Sequence, residues 1–138
     1  MEHELNKEEI AYFYELLYKY EHESHAGYQD DKVIEKIGGE INLDDNYKKG
    51  CNISTEKKNV LQFTPYRKNK CWAILYHTWN AFAHGNIQSV DDDKYFLIKD
   101  YSDKSKRQVC NMHALIEKEK FYRLIKTINE TRKSKNLK

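Results

Sequence analysis

Apolar residues recur along this chain at two spacings. Ile10, Phe13, Tyr14 and Leu17 follow one another at i, i+3, i+4 and i+7, which predicts an amphipathic helix over about Lys7–His22. Asn6 three residues before Glu9 has the form of a capping box that would start it. A short helix is expected over Asp30–Ile37, ended by Gly38-Gly39. Thr64-Pro65 supplies an N-cap and first residue for a long central helix that Gly85 closes after His84. Its large apolar residues, Trp72, Leu75, Trp79 and Phe82, form one stripe. A last helix spans about Glu117–Thr131, with Phe121, Leu124, Ile125 and Ile128 on its inner side.

Between the last two helices the period changes from about 3.6 to 2. Tyr95, Leu97, Lys99 and Tyr101 alternate with Phe96, Ile98 and Asp100, and Cys110, Met112, Ala114 and Ile116 share a face on the return. Ser102–Lys106 is the turn, so one β-hairpin is expected at about 94–116. Glu40–Phe63 is rich in Asn, Asp, Lys and Gly, and reads as a long loop with one helical turn after Ser54-Thr55-Glu56. The fold class expected from these elements is mainly α, with one inserted hairpin. A single domain over 1–138 is expected, its basic tail from about residue 132 frayed.

Composition adds constraints. The 138 residues are 33% charged and 13% aromatic, a globular balance rather than a disordered one. The formal net charge of +2 hides a division: residues 1–31 hold nine acids against two bases, whereas 118–138 hold eight bases against two acids. A basic final helix can hold phosphates, although a solvated face gives the same pattern. Three cysteines without CxxC spacing suit a reduced cytoplasmic setting better than a disulfide or zinc framework. An acidic start and the lack of a membrane-length apolar run argue against a secretory signal or a membrane span. His22 and His25 have no companion ligands at a recognisable spacing, and Asp91-Asp92-Asp93 reads as a solvated turn, so no metal is expected.

The candidate chemistry lies on the central helix. His77, Asn80 and His84 at i, i+3, i+7 gather on one face, with small Ala73 and Ala81 beside them. Asn80-Ala81-Phe82-Ala83-His84-Gly85-Asn86-Ile87 resembles the signature of the HEPN superfamily of small helical domains, many of them ribonucleases. The family motif runs Arg, a polar residue, three further residues, then His. Asn80 and His84 match, while Trp79 stands in the Arg position. The resemblance implies a HEPN-like helical bundle and a metal-independent endoribonuclease of toxin or phage-defence type, with no cofactor. His84 would move the proton, and Asn80 would orient it or bond the phosphate. It further implies a homodimer through the central helix and a nucleotidyltransferase-like antitoxin as partner. His77, Arg67, Lys68 or Lys70 would replace the missing cation across the dimer, and Trp79 would stack a base of the RNA. The alternative is a module without catalysis that binds RNA or a partner protein.

Overall fold

The computed structural model describes residues 4–22, 28–44, 58–64, 69–104 and 107–131. In chain order these form helix α1 (Lys7–His22), α2 (Asp30–Ile37), strands β1 (Asn42–Asp44) and β2 (Val60–Phe63), helix α3 (Lys70–Ala83), strands β3 (Ile87–Val90), β4 (Tyr95–Lys104) and β5 (Arg107–Glu117), and helix α4 (Lys118–Thr131). The strands make one mixed sheet in the order β1-β2-β5-β4-β3, with β1 parallel to β2 and the other neighbours antiparallel.

This is an α/β fold, and the expected HEPN-like helical bundle with one hairpin is corrected. The hairpin exists as β4 and β5, but it is the centre of a five-stranded sheet rather than an insertion. Strand residues alternate between faces, and the register lines up the inward ones across the sheet. Leu61, Ala114, Ile98 and Ile87 form one buried row. Phe63, Met112 and Asp100 form the next. Onto that face pack α1, α3 and α4. Phe13 of α1 touches Phe82 of α3, Phe96 of β4 and Phe121 of α4, with ring centroids 5.4–5.8 Å apart. Val33 and Ile37 of α2 are buried, and α2 lies against α4.

Local chemistry explains where the elements start and stop. Asn6 N–H donates to Glu9 Oε1 at 3.0 Å and Glu9 N–H donates to Asn6 Oδ1 at 2.9 Å, the reciprocal box expected at the head of α1. Helix α3 starts later than Thr64-Pro65 implies: its N-cap is Asn69, whose side chain accepts from Trp72 N–H at 2.8 Å. It ends where expected, with His84 as C-cap and Gly85 at φ 71°, a left-handed conformation that suits glycine. The loop expected over Glu40–Phe63 contains β1 and β2 at its two ends, and the turn after Ser54 lies outside the described residues. No described helix is long and apolar enough to cross a membrane.

Candidate functional site

Helix α3 is buried on more than one side. Cys71, Ala73, Ile74, Leu75, His77, Thr78 and Ala81 are all buried, and its surface is shared by Trp72, Tyr76, Trp79, Asn80 and Ala83. Ala73 and Ala81 are therefore core residues. The small-residue surface expected to let a partner helix approach is not on the outside of α3.

The residues singled out by the motif separate. Asn80 is half-buried and His84 exposed at the helix end, where His84 N–H donates to Asn80 O at 3.1 Å. His77 belongs elsewhere. It is 4% exposed, with Nδ1 2.7 Å from Asp100 Oδ2, and Nε2 2.9 Å from Thr64 O and 3.2 Å from Thr64 Oγ1. A backbone carbonyl can only accept, so Nε2 carries a hydrogen, and the Nδ1–Asp100 contact needs a second one from either group. His77 thus pins α3 to β4 and to the end of β2, and is not available to RNA. The sequence offered Thr64 only as an N-cap and Asp100 only as a strand position, neither as a partner of His77. The available signal was Asp100 itself, a carboxylate in register with inward-facing Phe96 and Ile98.

The proposed cations are no nearer to His84. Lys70 lies fourteen residues earlier, about 21 Å along the axis at ~1.5 Å per residue. Arg67 and Lys68 lie outside the described residues. Nor is the head of α3 open to a phosphate. Asp30 accepts from Lys70 N–H at 2.7 Å and from Cys71 N–H at 3.0 Å, so a carboxylate already occupies the positive end of the helix.

At the other end, Trp79 lines a groove of about 950 Å³. Glu4, Leu5, Ile10, Tyr14 and Glu15 form one wall of it, Trp79, Phe82, Ala83 and Gly85 the second, and Ile87 and Gln88 of β3 the floor. Tyr14 stands nearly perpendicular to Phe82, with centroids 5.2 Å apart and planes at 85°, and Phe82 stacks on Phe13 at 5.5 Å and 21°. Phe13 is fully buried, so the core fixes the aromatic corner. Among the described residues the groove is lined by two carboxylates and no Lys or Arg. The contribution of α1 was hidden in sequence, since Tyr14 reads there as part of the inner stripe whereas it is 65% exposed.

Other reactive groups are quiet. Burial, with Asp30 nearby, pushes the Cys71 thiol well above its ordinary range and leaves it a poor nucleophile. Burial and the Lys99 charge lower His113 to about 4; its ring lies 2% exposed on β5, and Nε2 has no hydrogen-bond partner among the described residues. No group of three or more His, Cys, Asp or Glu among the described residues could hold a metal ion. No family model, curated protein or solved structure matches the chain.

Proposed function

We propose that this protein is an interaction module without catalysis, which binds a partner protein through the groove between α1, the end of α3 and β3. One observation carries this reading: the motif end of α3 opens onto a groove of about 950 Å³ whose lining is mostly apolar and includes Tyr14, Trp79 and Phe82. Such a lining favours apolar protein groups. A ribonuclease needs a group to stabilise charge on the phosphate, and loss of such a group typically slows catalysis by about 10²–10³.

The second reading, a metal-independent ribonuclease using His84 and Asn80, draws on a different observation. Both residues reach the surface at one end of α3 beside Trp79, on whose ring a base could stack.

A photo-crosslinking residue at Tyr14 tests the first reading, with Ile34 of α2, also exposed, as control. The expected result is a discrete protein adduct from position 14 and none from position 34. Cleavage of single-stranded RNA in the presence of chelator, abolished by His84→Ala and raised by Trp79→Arg, would overturn it in favour of the nuclease. Trp79 is half-buried rather than enclosed, so Trp79→Arg keeps the charged end at the groove mouth and the variant folds.

A further inference from the structure

Resting on the reading of the groove as a protein-binding site, we infer that its partner is a second copy of this chain, joined through edge strand β3 in an antiparallel pair with a two-fold axis at Gln88. The hydrogen-bond pattern of β3 points to it. Lys99 N–H donates to Asn86 O at 3.1 Å, which fixes the phase of the ladder between β3 and β4. In such a ladder successive residues turn their backbone groups toward and away from the neighbouring strand. Gln88 and Val90 therefore bond to Leu97 and Tyr95, whereas the N–H and C=O groups of Ile87 and Ser89 point away from β4. β3 is the last strand of the sheet, and neither residue has a backbone hydrogen bond on that outer side. Nor does Ile87-Gln88-Ser89-Val90 carry the charge, proline or bulge that ordinarily keeps an edge from pairing.

One register uses every one of these groups. Ile87 opposite Ser89 of the second copy exchanges N–H···O bonds in both directions, and symmetry repeats the exchange for Ser89. Moving the axis to Ile87 would call on the Gly85 N–H, which already donates to Phe82 O. Moving it to Ser89 would call on the Asp91 C=O, which already accepts from Lys94 N–H. The antiparallel direction also sets the acidic turn Asp91–Asp93 of each copy beside the start of β3 in the other, where His84 is exposed. Asp92 has no partner among the described residues, and an imidazole N–H can supply one. A parallel pair would set the two acidic turns against each other.

Backbone bonds from a four-residue strand do not hold a dimer by themselves. The groove supplies apolar area on the helix side of β3: Ile10 and Tyr14 are 38% and 65% exposed on its wall, and Leu5 and Phe82 lie with them. The two-fold axis sets the two grooves face to face, so that α1 of each copy covers the groove of the other. This contact uses the sheet edge and leaves α3 in its own core, unlike the dimer through the central helix expected from the sequence.

Sedimentation of the full chain is expected to show a dimer at about 50 μM. Gln88 is half-buried, alternates away from buried Ile87 and Ser89, and stands opposite itself at the axis. Gln88→Lys or Gln88→Glu alone should therefore weaken the dimer by about tenfold or more, and an equimolar mixture of the two variants should restore it. The two copies of residue 88 form a non-hydrogen-bonded pair with Cα atoms about 4.5 Å apart, a spacing that a disulfide can bridge. Gln88→Cys should then give a disulfide-linked dimer under mild oxidation, and Val90→Cys, which lies opposite Asn86, should not. The unsubstituted chain controls for Cys51, Cys71 and Cys110, and melting temperatures check that each variant folds. A photo-crosslinking residue at Tyr14 should give an adduct of twice the chain's mass. A monomer at about 50 μM, or a dimer that tolerates Gln88→Lys and yields no Gln88→Cys disulfide, would overturn the pairing at β3. If the Tyr14 adduct then has another mass, the groove remains a protein-binding site; if there is no adduct, that reading falls as well.

Discussion

Removing the His77 side chain should reveal how much of the fold hangs on one buried polar contact. Asp100 is 1% exposed and His77 4%, so His77→Leu keeps the approximate volume but leaves a carboxyl group enclosed with its 2.7 Å partner gone. Leaving a buried carboxyl group without its hydrogen-bond partner costs about 1–3 kcal/mol, and more for a charged one, so a loss of about 3 kcal/mol is expected. Against the ~5–15 kcal/mol that holds a typical domain together, that is a large share. Asp100→Ala removes the acceptor instead and should cost less, about 1–3 kcal/mol, because the ring retains its bond to Thr64 O at 2.9 Å. The double variant should then be more stable than the sum of the singles implies, by about 2 kcal/mol, well outside the ~0.5 kcal/mol scatter of independent sites. Asp100→Asn is the mild control. With Nε2–H on Thr64 O, the amide can rotate to donate to Nδ1, both contacts survive, and the expected loss is below about 1.5 kcal/mol. Urea unfolding followed by tryptophan fluorescence reads all four variants, provided that the slope with denaturant stays constant. A His77→Leu cost under about 1 kcal/mol, or an additive cycle, would refute the view that these two side chains support one another.

Three further outcomes follow from other parts of the molecule. Because burial lowers His113 to about 4 from an ordinary 6.5, the unfolded chain binds its proton first as pH falls, so stability should decline between about pH 6.5 and 4 by up to about 3 kcal/mol. Urea midpoints measured across that range should flatten in His113→Gln, and an unchanged profile would count against the buried neutral ring. Cys71, buried with its thiol raised, should escape iodoacetamide in the native protein at pH 8 and react once urea unfolds it; peptide mass mapping that finds it alkylated at the rate of a free thiol would contradict its burial. Asp92 sits at φ 57° in a turn of three successive left-handed aspartates, so Asp92→Gly should raise stability by about 0.5–1 kcal/mol, seen as a higher melting temperature.

The helices could be read from the sequence because each carries its own evidence locally. Helix α1 has a capping box and a complete i, i+3, i+4, i+7 stripe, and α4 has the stripe of Phe121, Leu124, Ile125 and Ile128. The hairpin was visible for the same reason, since the alternation over Tyr95–Tyr101 and Cys110–Ile116 needs no outside partner to be recognised, although β4 runs on to Lys104 and β5 starts at Arg107, inside the stretch read as turn and return. Strands β1, β2 and β3 are three or four residues long, too short for a period of two to separate from chance. β2 is settled by β5, far away in sequence, as in the pairing of Leu61 with Ala114, β1 by β2, and β3 by β4 across a short turn. One signal was nevertheless present. Asp91-Asp92-Asp93 reads as a turn, and a turn followed by a strand asks what precedes it; the answer is β3, paired through Val90 and Tyr95.

The site was harder to read because the central helix does not have one inside and one outside. A helix covered from one direction lets polar spacing identify its exposed face. Half of the fourteen residues of α3 are buried, so His77 and Asn80, three apart and equally polar, meet opposite fates. What distinguishes them is a partner on another element: Asp100 faces inward on β4 and requires a donor, and His77 is the residue placed to answer it. With His77 absorbed by the core and Lys70 at the far end of the helix, the place of the motif arginine is left to Trp79. Its ring lies in a groove shared with Tyr14, Glu4 and Glu15 of a different segment. Trp79 therefore has neighbours from a segment far away in sequence, which no spacing along α3 could have shown.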